Sequence, residues 1–93
     1  MTVLILHVKR KYFDEIKAGT KKEEYRLAKP YWLTRLSSRY LNSIVILKGY
    51  PSFHMLRSNN RIDFPWNGYE EKTITHPEFG KYPVDVYAIK LEA

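Results

Sequence analysis

Two uninterrupted apolar runs, Val3-Leu4-Ile5-Leu6 and Ile44-Val45-Ile46-Leu47, constrain what this chain can fold into more than any other feature. A half-exposed strand alternates apolar and polar residues, whereas consecutive aliphatics need cover on both faces. Each run therefore reads as a strand central to a sheet. The first continues through His7 and Val8, and the second spans Ser43 to Tyr50 before Gly49 and Pro51 close it. Neither approaches the ~20 apolar residues of a membrane-spanning helix. The N-terminus lacks the charge, apolar stretch and small-residue cleavage site of a signal peptide. With 93 residues and no cysteine, a single domain over 1–93 has to rely on its apolar core, without disulfides. A thiol nucleophile and a Cys-based zinc knuckle are excluded with it. The expectation is a soluble cytoplasmic protein that engages no membrane.

Between the runs the period changes. Tyr12, Phe13 and Ile16 share one helical face, with Lys11, Asp14 and Lys17 turned away and Gly19 where a left-handed cap belongs, which predicts a helix over 10–18. Lys22 to Leu27 alternates as a strand, with Lys22, Glu24 and Arg26 on one face and Glu23, Tyr25 and Leu27 on the other. Pro30 suits the first turn of a second helix reaching about Ser38, with Trp32, Leu33 and Leu36 as its apolar stripe. Phe53 to Arg57 reads as a strand turning at Asn59-Asn60, and Pro65 argues against a long central strand nearby. Residues 51–68 thus form either a hairpin or a lid. Asn67-Gly68 is a hairpin turn signal leading into a strand from Tyr69 to Thr75, with Trp66 and Tyr69 flanking it. His76 to Pro83 is a loop, and Val84 to Leu91 a final strand. The sum is an α+β domain, a small curled β-barrel of five to six strands with two short helices, too few to cover both faces of a flat sheet.

Charge is distributed unevenly. Residues 1–48 carry 11 Lys/Arg against 4 Asp/Glu, while residues 49–93 carry 5 against 6. A basic half of this kind suits a polyanion, most simply nucleic acid, although solubility alone accounts for a net charge of this size in many small domains. Lys9, Arg10 and Lys11 at the first strand–helix junction are candidate phosphate contacts, because cations at a helix start oppose the helix dipole. Lys21 and Arg26 offer one compact and one forked cation, and Glu24 shares the face of Arg26, so an ion pair would fix both. Lys22 joins this basic group. Tyr25, Tyr31 and Trp32 are the rings closest to it and are candidates for stacking on bases, while Phe13 and Tyr87 are assigned to the core. His7, His54 and His76 have no metal-ligand spacing, so no metal or other cofactor is implied. No Gly-rich phosphate-binding loop is present.

Leu4 to Arg26 sets an apolar strand, a helix with Tyr12-Phe13 and Ile16, and then Gly19-Thr20-Lys21-Lys22-Glu23-Glu24-Tyr25-Arg26, which fits G-x-K-x-x-E-x-R. In this order the elements resemble the ASCH domain, a branch of the PUA-like superfamily of small β-barrels. The likeness extends more loosely through Ile44 to Gly49 and Val86 to Ile89. It implies a cleft where Lys21, Glu24 and Arg26 converge and a link to RNA. Some members of the family are ribonucleases. One small bacterial group hydrolyses N4-acetylcytidine with a Lys, a Thr three residues on and a distant Glu. Lys21 matches that Lys, Glu24 stands in the Thr position, and Glu70 or Glu71 would be the distant carboxylate. Thr20, Thr73 and Thr75 are the only hydroxyls offered as substitutes.

Three function classes follow. The first is a domain binding single-stranded RNA or a nucleobase or nucleoside through Lys9, Arg10, Lys11, Lys21, Lys22, Glu24, Arg26, Tyr25, Tyr31 and Trp32. The second is an RNA-directed enzyme on the same cleft, a ribonuclease or an N4-acetylcytidine amidohydrolase-like hydrolase, with Lys21 and Glu24 catalytic; a divalent metal enters only with the ribonuclease. The third is an interaction module docking an acidic protein partner.

Overall fold

Helix α1, Arg10–Ala18, forms where the 3.6-residue period begins, and it buries Phe13 and Ile16. Gly19 ends it at φ 82° in the left-handed region that a Cβ disfavours. The amides of Thr20 and Lys21 both turn back to the Glu15 carbonyl, at 3.0 and 3.2 Å. That closed turn is what delivers Lys21 to the start of the next strand.

The computed structural model describes residues 2–49 and 60–92. Among these described residues six strands form two sheets of three. In the first sheet β1 (Thr2–Val8) runs parallel to β3 (Leu41–Lys48), and β4 (Arg61–Pro65) pairs antiparallel with β3's other edge. The parallel pair requires a long crossover, here supplied by α1, β2 (Glu23–Leu27) and α2 (Pro30–Leu36). In the second sheet β6 (Val84–Lys90) lies between β2 and β5 (Tyr69–Ile74), antiparallel to both. Leu4, Leu6, Ile44 and Ile46 from one sheet meet Tyr87, Ile89 and Leu91 from the second strand system, with Phe13, Ile16 and Leu36 from the helices. Phe13 and Tyr87 are in the core, as their placement in the sequence predicts. The α+β class and two short helices are observed; among the described residues no ladder joins the sheets into a closed barrel.

The two apolar runs behave differently. β3 is central, and Ile44 through Leu47 are all buried. Among the described residues β1 is an edge strand in the ladder order: Leu4 and Leu6 enter the core, but Val3 and Ile5 are 43 % and 38 % exposed. The central placement expected for β1 is thus corrected. Pro65 ends β4 on a sheet edge, where its missing N–H costs no ladder bond.

Asn67-Gly68 does not make a hairpin. The Trp66 amide bonds the Asn42 carbonyl at 3.0 Å, beside the first sheet, while the Gly68 carbonyl accepts from the Lys90 amide at 3.1 Å, in the second. The turn, with Gly68 at φ 89°, carries the chain from one sheet to the other, and the Trp66–Tyr69 ring contact at 6.3 Å spans that crossing. The expected Phe53–Arg57 strand, Asn59 of the Asn59-Asn60 turn and the first half of the hairpin or lid proposed for 51–68 lie outside the described residues, as does His54. Among the described residues no helix is long and apolar enough to cross a membrane.

Candidate functional site

β2 carries the centre of the site. The pleat sends Glu24 inward, opposite Ile89 of β6, and Arg26 follows it two residues on, opposite Tyr87. Glu24 is only 7 % exposed. Its Oε2 accepts from Arg26 Nη2 at 3.0 Å, and Lys21 Nζ stands 3.6 Å from its Oε1. The same Arg26 nitrogen donates to the His7 carbonyl at 2.9 Å, tying β2 to the end of β1. Burial pushes the Glu24 carboxyl above the ordinary glutamate value, against the pull of Arg26 and then Lys21. A carboxylate this dry, held between two cations, is a fixed feature of the protein rather than a solvated surface group.

Rings stand around these charges. Lys21 Nζ lies 4.6 Å from the centre of the Tyr25 ring and 5.3 Å from that of Tyr12. The Arg26 guanidinium is 5.1 Å from the Trp32 ring. Such cation–ring contacts contribute about 0.5–2 kcal/mol, more where water is excluded. α2 begins at Pro30, whose fixed φ suits the first turn, and the amides of Trp32 and Leu33 both bond the Lys29 carbonyl at 3.0 Å. That turn holds Trp32 against the core and beside Arg26.

The far wall comes from the loop after β5. His76 caps the short 3-10 turn Pro77–Phe79 by accepting the Glu78 amide on Nδ1 at 3.1 Å, and its ring packs against Tyr12, Tyr25 and Phe79 at 5.7 to 5.9 Å. Glu78 then reaches Lys9 at 2.8 Å and accepts from the Tyr12 hydroxyl at 3.2 Å. The hydrogen bond from Lys9 holds the Glu78 carboxyl below its ordinary value. Burial, then Glu78, raises the Tyr12 phenol. The enclosed space is a cleft of about 330 Å³, at the lower end of the range for small-molecule sites.

Of the residues singled out in the sequence, Lys9, Lys21, Glu24, Tyr25, Arg26 and Trp32 line this cleft. Arg10, Lys11, Lys22 and Tyr31 are exposed and do not. The basic cluster at the α1 start is therefore split, with Lys9 turned to Glu78 and Lys11 resting 5.9 Å from the Tyr12 ring. Glu70 lies with Lys72 and Lys90 in a polar groove that adjoins the cleft across Tyr12, Lys21, Tyr25 and His76, and Glu71 is exposed, so neither lines the cleft as its second carboxylate. Glu78 does. The hydroxyls of Thr20 and Thr73 are bound to the Glu15 carbonyl and Asp85, and no threonine lines the cleft.

His7, Tyr12, Lys29, His76, Glu78 and Phe79 also line the cleft and were missed as site residues. The cluster of Pro77, Gly80 and Pro83 marks a loop but not where it packs, while Tyr12 reads as one more apolar residue of α1. Among the described residues no group of three His, Asp or Glu side chains is placed to hold a metal ion. In chemical terms the cleft offers flat rings for stacking, four cations (Lys9, Lys21, Arg26 and Lys29) and two carboxylates in opposite electrostatic settings. No protein-family model, curated protein or solved structure matches this chain.

Proposed function

We infer that the chain is an ASCH-type domain of the PUA-like superfamily, its two sheets the halves of a curled barrel, and that it binds single-stranded RNA or a nucleobase within it. The observation that carries this reading is the convergence of Lys21 and Arg26 on buried Glu24 between the rings of Tyr25 and Trp32. Any base can stack on the rings, the cations donate to its carbonyls or to a phosphate, and a carboxylate accepts from an exocyclic amino group. The surplus of two positive charges in the cleft, with all four cations and both carboxylates ionised, favours an anionic ligand.

The test is a mobility shift with labelled single-stranded RNA across a salt series. The expected log–log slope is about −0.7 per neutralised phosphate. Lys21→Ala is expected to weaken binding and Lys90→Ala, outside the cleft lining, to leave it unchanged. Equal affinity of the Lys21→Ala variant and the wild type removes the cleft from the reading.

A second reading rests on the two carboxylates. Glu24 is pushed toward the neutral form and Glu78 toward the charged form within one cleft, the pattern by which paired acids take opposite proton-transfer roles. On this reading the site is a ribonuclease or a nucleoside amidohydrolase in which Lys21 and Glu24 act on the substrate. RNA cleavage with and without divalent metal, and acetate release from N4-acetylcytidine, distinguish it from binding. Activity lost in Glu24→Gln with the fold intact supports it.

A further inference from the structure

Outside the cleft, the most one-sided surface is that of α2. Residues 25–62 contain seven Lys/Arg and no Asp or Glu, and α2 lies within that stretch. Among the described residues no ion pair engages Lys29, Arg35 or Arg39. Their partners are rings instead. Arg35 stands 5.7 Å from the centre of the Trp32 ring and 5.4 Å from that of Tyr31, and its Nη1 donates to the Tyr31 hydroxyl at 3.3 Å. Tyr31 and Trp32 meet edge to face at 5.1 Å. Trp32 also carries Arg26 on the cleft side. Cations and rings therefore alternate without a break from the cleft floor at Arg26, through Trp32, to Arg35 and Tyr31, which is 62 % exposed.

An exposed ring held by a guanidinium, in a stretch that carries no acid, suits a ligand with flat faces and negative charge. Base stacking is tolerant of sequence, and the arginine fork grips a phosphate. An acidic peptide would use Arg35 but leave the ring without a role. We propose that Tyr31 and Arg35 form a second nucleotide subsite, so that the cleft's ligand is a single-stranded RNA of at least two nucleotides. One base sits in the cleft; its neighbour stacks on Tyr31 with the joining phosphate on Arg35, and Trp32 forms the wall between them. This inference rests on the cleft being a nucleobase site.

The experiment titrates wild type, Tyr31→Ala, Tyr31→Phe and Arg35→Ala with cytidine and adenosine 5′-monophosphates, and separately with a fluorescein-labelled mixed-sequence hexaribonucleotide. Both side chains are exposed, so folding is not at stake. Wild type is expected to bind the hexamer at least about tenfold more tightly than either monophosphate, since one added stacked base contributes that much or more. Tyr31→Ala is expected to lose roughly 5- to 100-fold for the hexamer and nothing for the monophosphates, with Tyr31→Phe retaining wild-type affinity, and Arg35→Ala to weaken the hexamer. Equal wild-type affinity for hexamer and monophosphate, or a hexamer affinity indifferent to Tyr31→Ala, overturns the second subsite and leaves the cleft standing. Binding of neither ligand overturns both, and retention of poly-glutamate by Arg35 would then assign the face to an acidic protein.

Discussion

On one face of β2, Glu24 is closed off from water between Lys21 and Arg26; on the other, its neighbour Glu23 lies in a broad polar groove and holds Lys72 at 2.9 Å. Residue type and chain position are nearly the same. The pleat alone sends them to opposite faces, and the surroundings then drive their chemistry apart. For Glu24 the loss of water outweighs two cations, and its carboxyl is pushed up. For Glu23 the hydrogen bond from Lys72 outweighs a small loss of water, and its carboxyl is pulled down. Ion pairs in open water contribute about 0–1 kcal/mol, whereas breaking a buried one exposes the full cost of an uncompensated charge. The closed face is thus where the protein has fixed its charges at a cost, and the open face is ordinary surface.

The largest effect expected from this contrast is on stability. Arg26→Ala leaves Glu24 buried with only Lys21 beside it at 3.6 Å and frees the His7 carbonyl. We expect a loss of about 3 kcal/mol or more in urea unfolding. Lys72→Ala, on the open face, is expected to lower the unfolding midpoint only slightly, by the small contribution of an exposed pair. The double variant Arg26→Ala/Glu24→Leu sharpens the comparison, because replacing both buried charges by apolar groups is often close to neutral. Equal midpoints for Arg26→Ala and Lys72→Ala would mean that Glu24 is effectively solvated and that the two faces do not differ.

Ligand binding comes next in size. A charge-assisted hydrogen bond contributes about 1.5–3 kcal/mol, so Lys21→Ala is expected to weaken single-stranded RNA by roughly tenfold or more, measured by fluorescence anisotropy. The salt series separates two contacts for that ammonium. A log–log slope shallower by about 0.7 places it on a phosphate, and an unchanged slope places it on a base. Lys90→Ala, paired with Glu70 in the open groove at 3.4 Å, is the matched control on the other face.

Much of the closed face can be read from the chain because it is local. The period-two alternation of β2 puts Glu24 and Arg26 on one side, and the Gly19 cap sets Lys21 at the strand's start; a few residues suffice for both. The opposite wall is not local. Glu78 meets Lys9 and Tyr12 across a sequence separation of more than sixty residues, and its direction depends on where β5 leaves the second sheet. The same limit explains β1 and Asn67-Gly68. Val3-Leu4-Ile5-Leu6 matches β3's run in composition, but a strand's place in a sheet is fixed by which neighbours arrive on each side, and among the described residues the ladder pairs β1 on one side only. A turn dipeptide specifies a reversal of direction and not the sheet that the chain enters afterwards.

The smallest effects, and the most specific to the pair, lie in pH dependence. Glu24's carboxyl is raised in the folded protein above the ordinary 4.5. Its contribution to stability is therefore fully present below pH 4.5 and is lost as pH rises through the folded value. Glu23 is lowered below 4.5, so its contribution is present above that pH and is lost as pH falls through its folded value. Gln keeps the shape of either side chain and removes the titration. Relative to wild type, Glu24→Gln is then expected to gain stability on going up from pH 4.5, and Glu23→Gln to gain on going down from it. Lys72→Ala should abolish the second trend and leave the first, since Lys72 is the main cause of the Glu23 shift and takes no part in that of Glu24. Thermal unfolding of the four proteins from pH 3 to 8 reads all of this at once. Difference curves for Glu24→Gln and Glu23→Gln that run parallel would show that both carboxylates see the same solvent, and would end the distinction between the faces of β2.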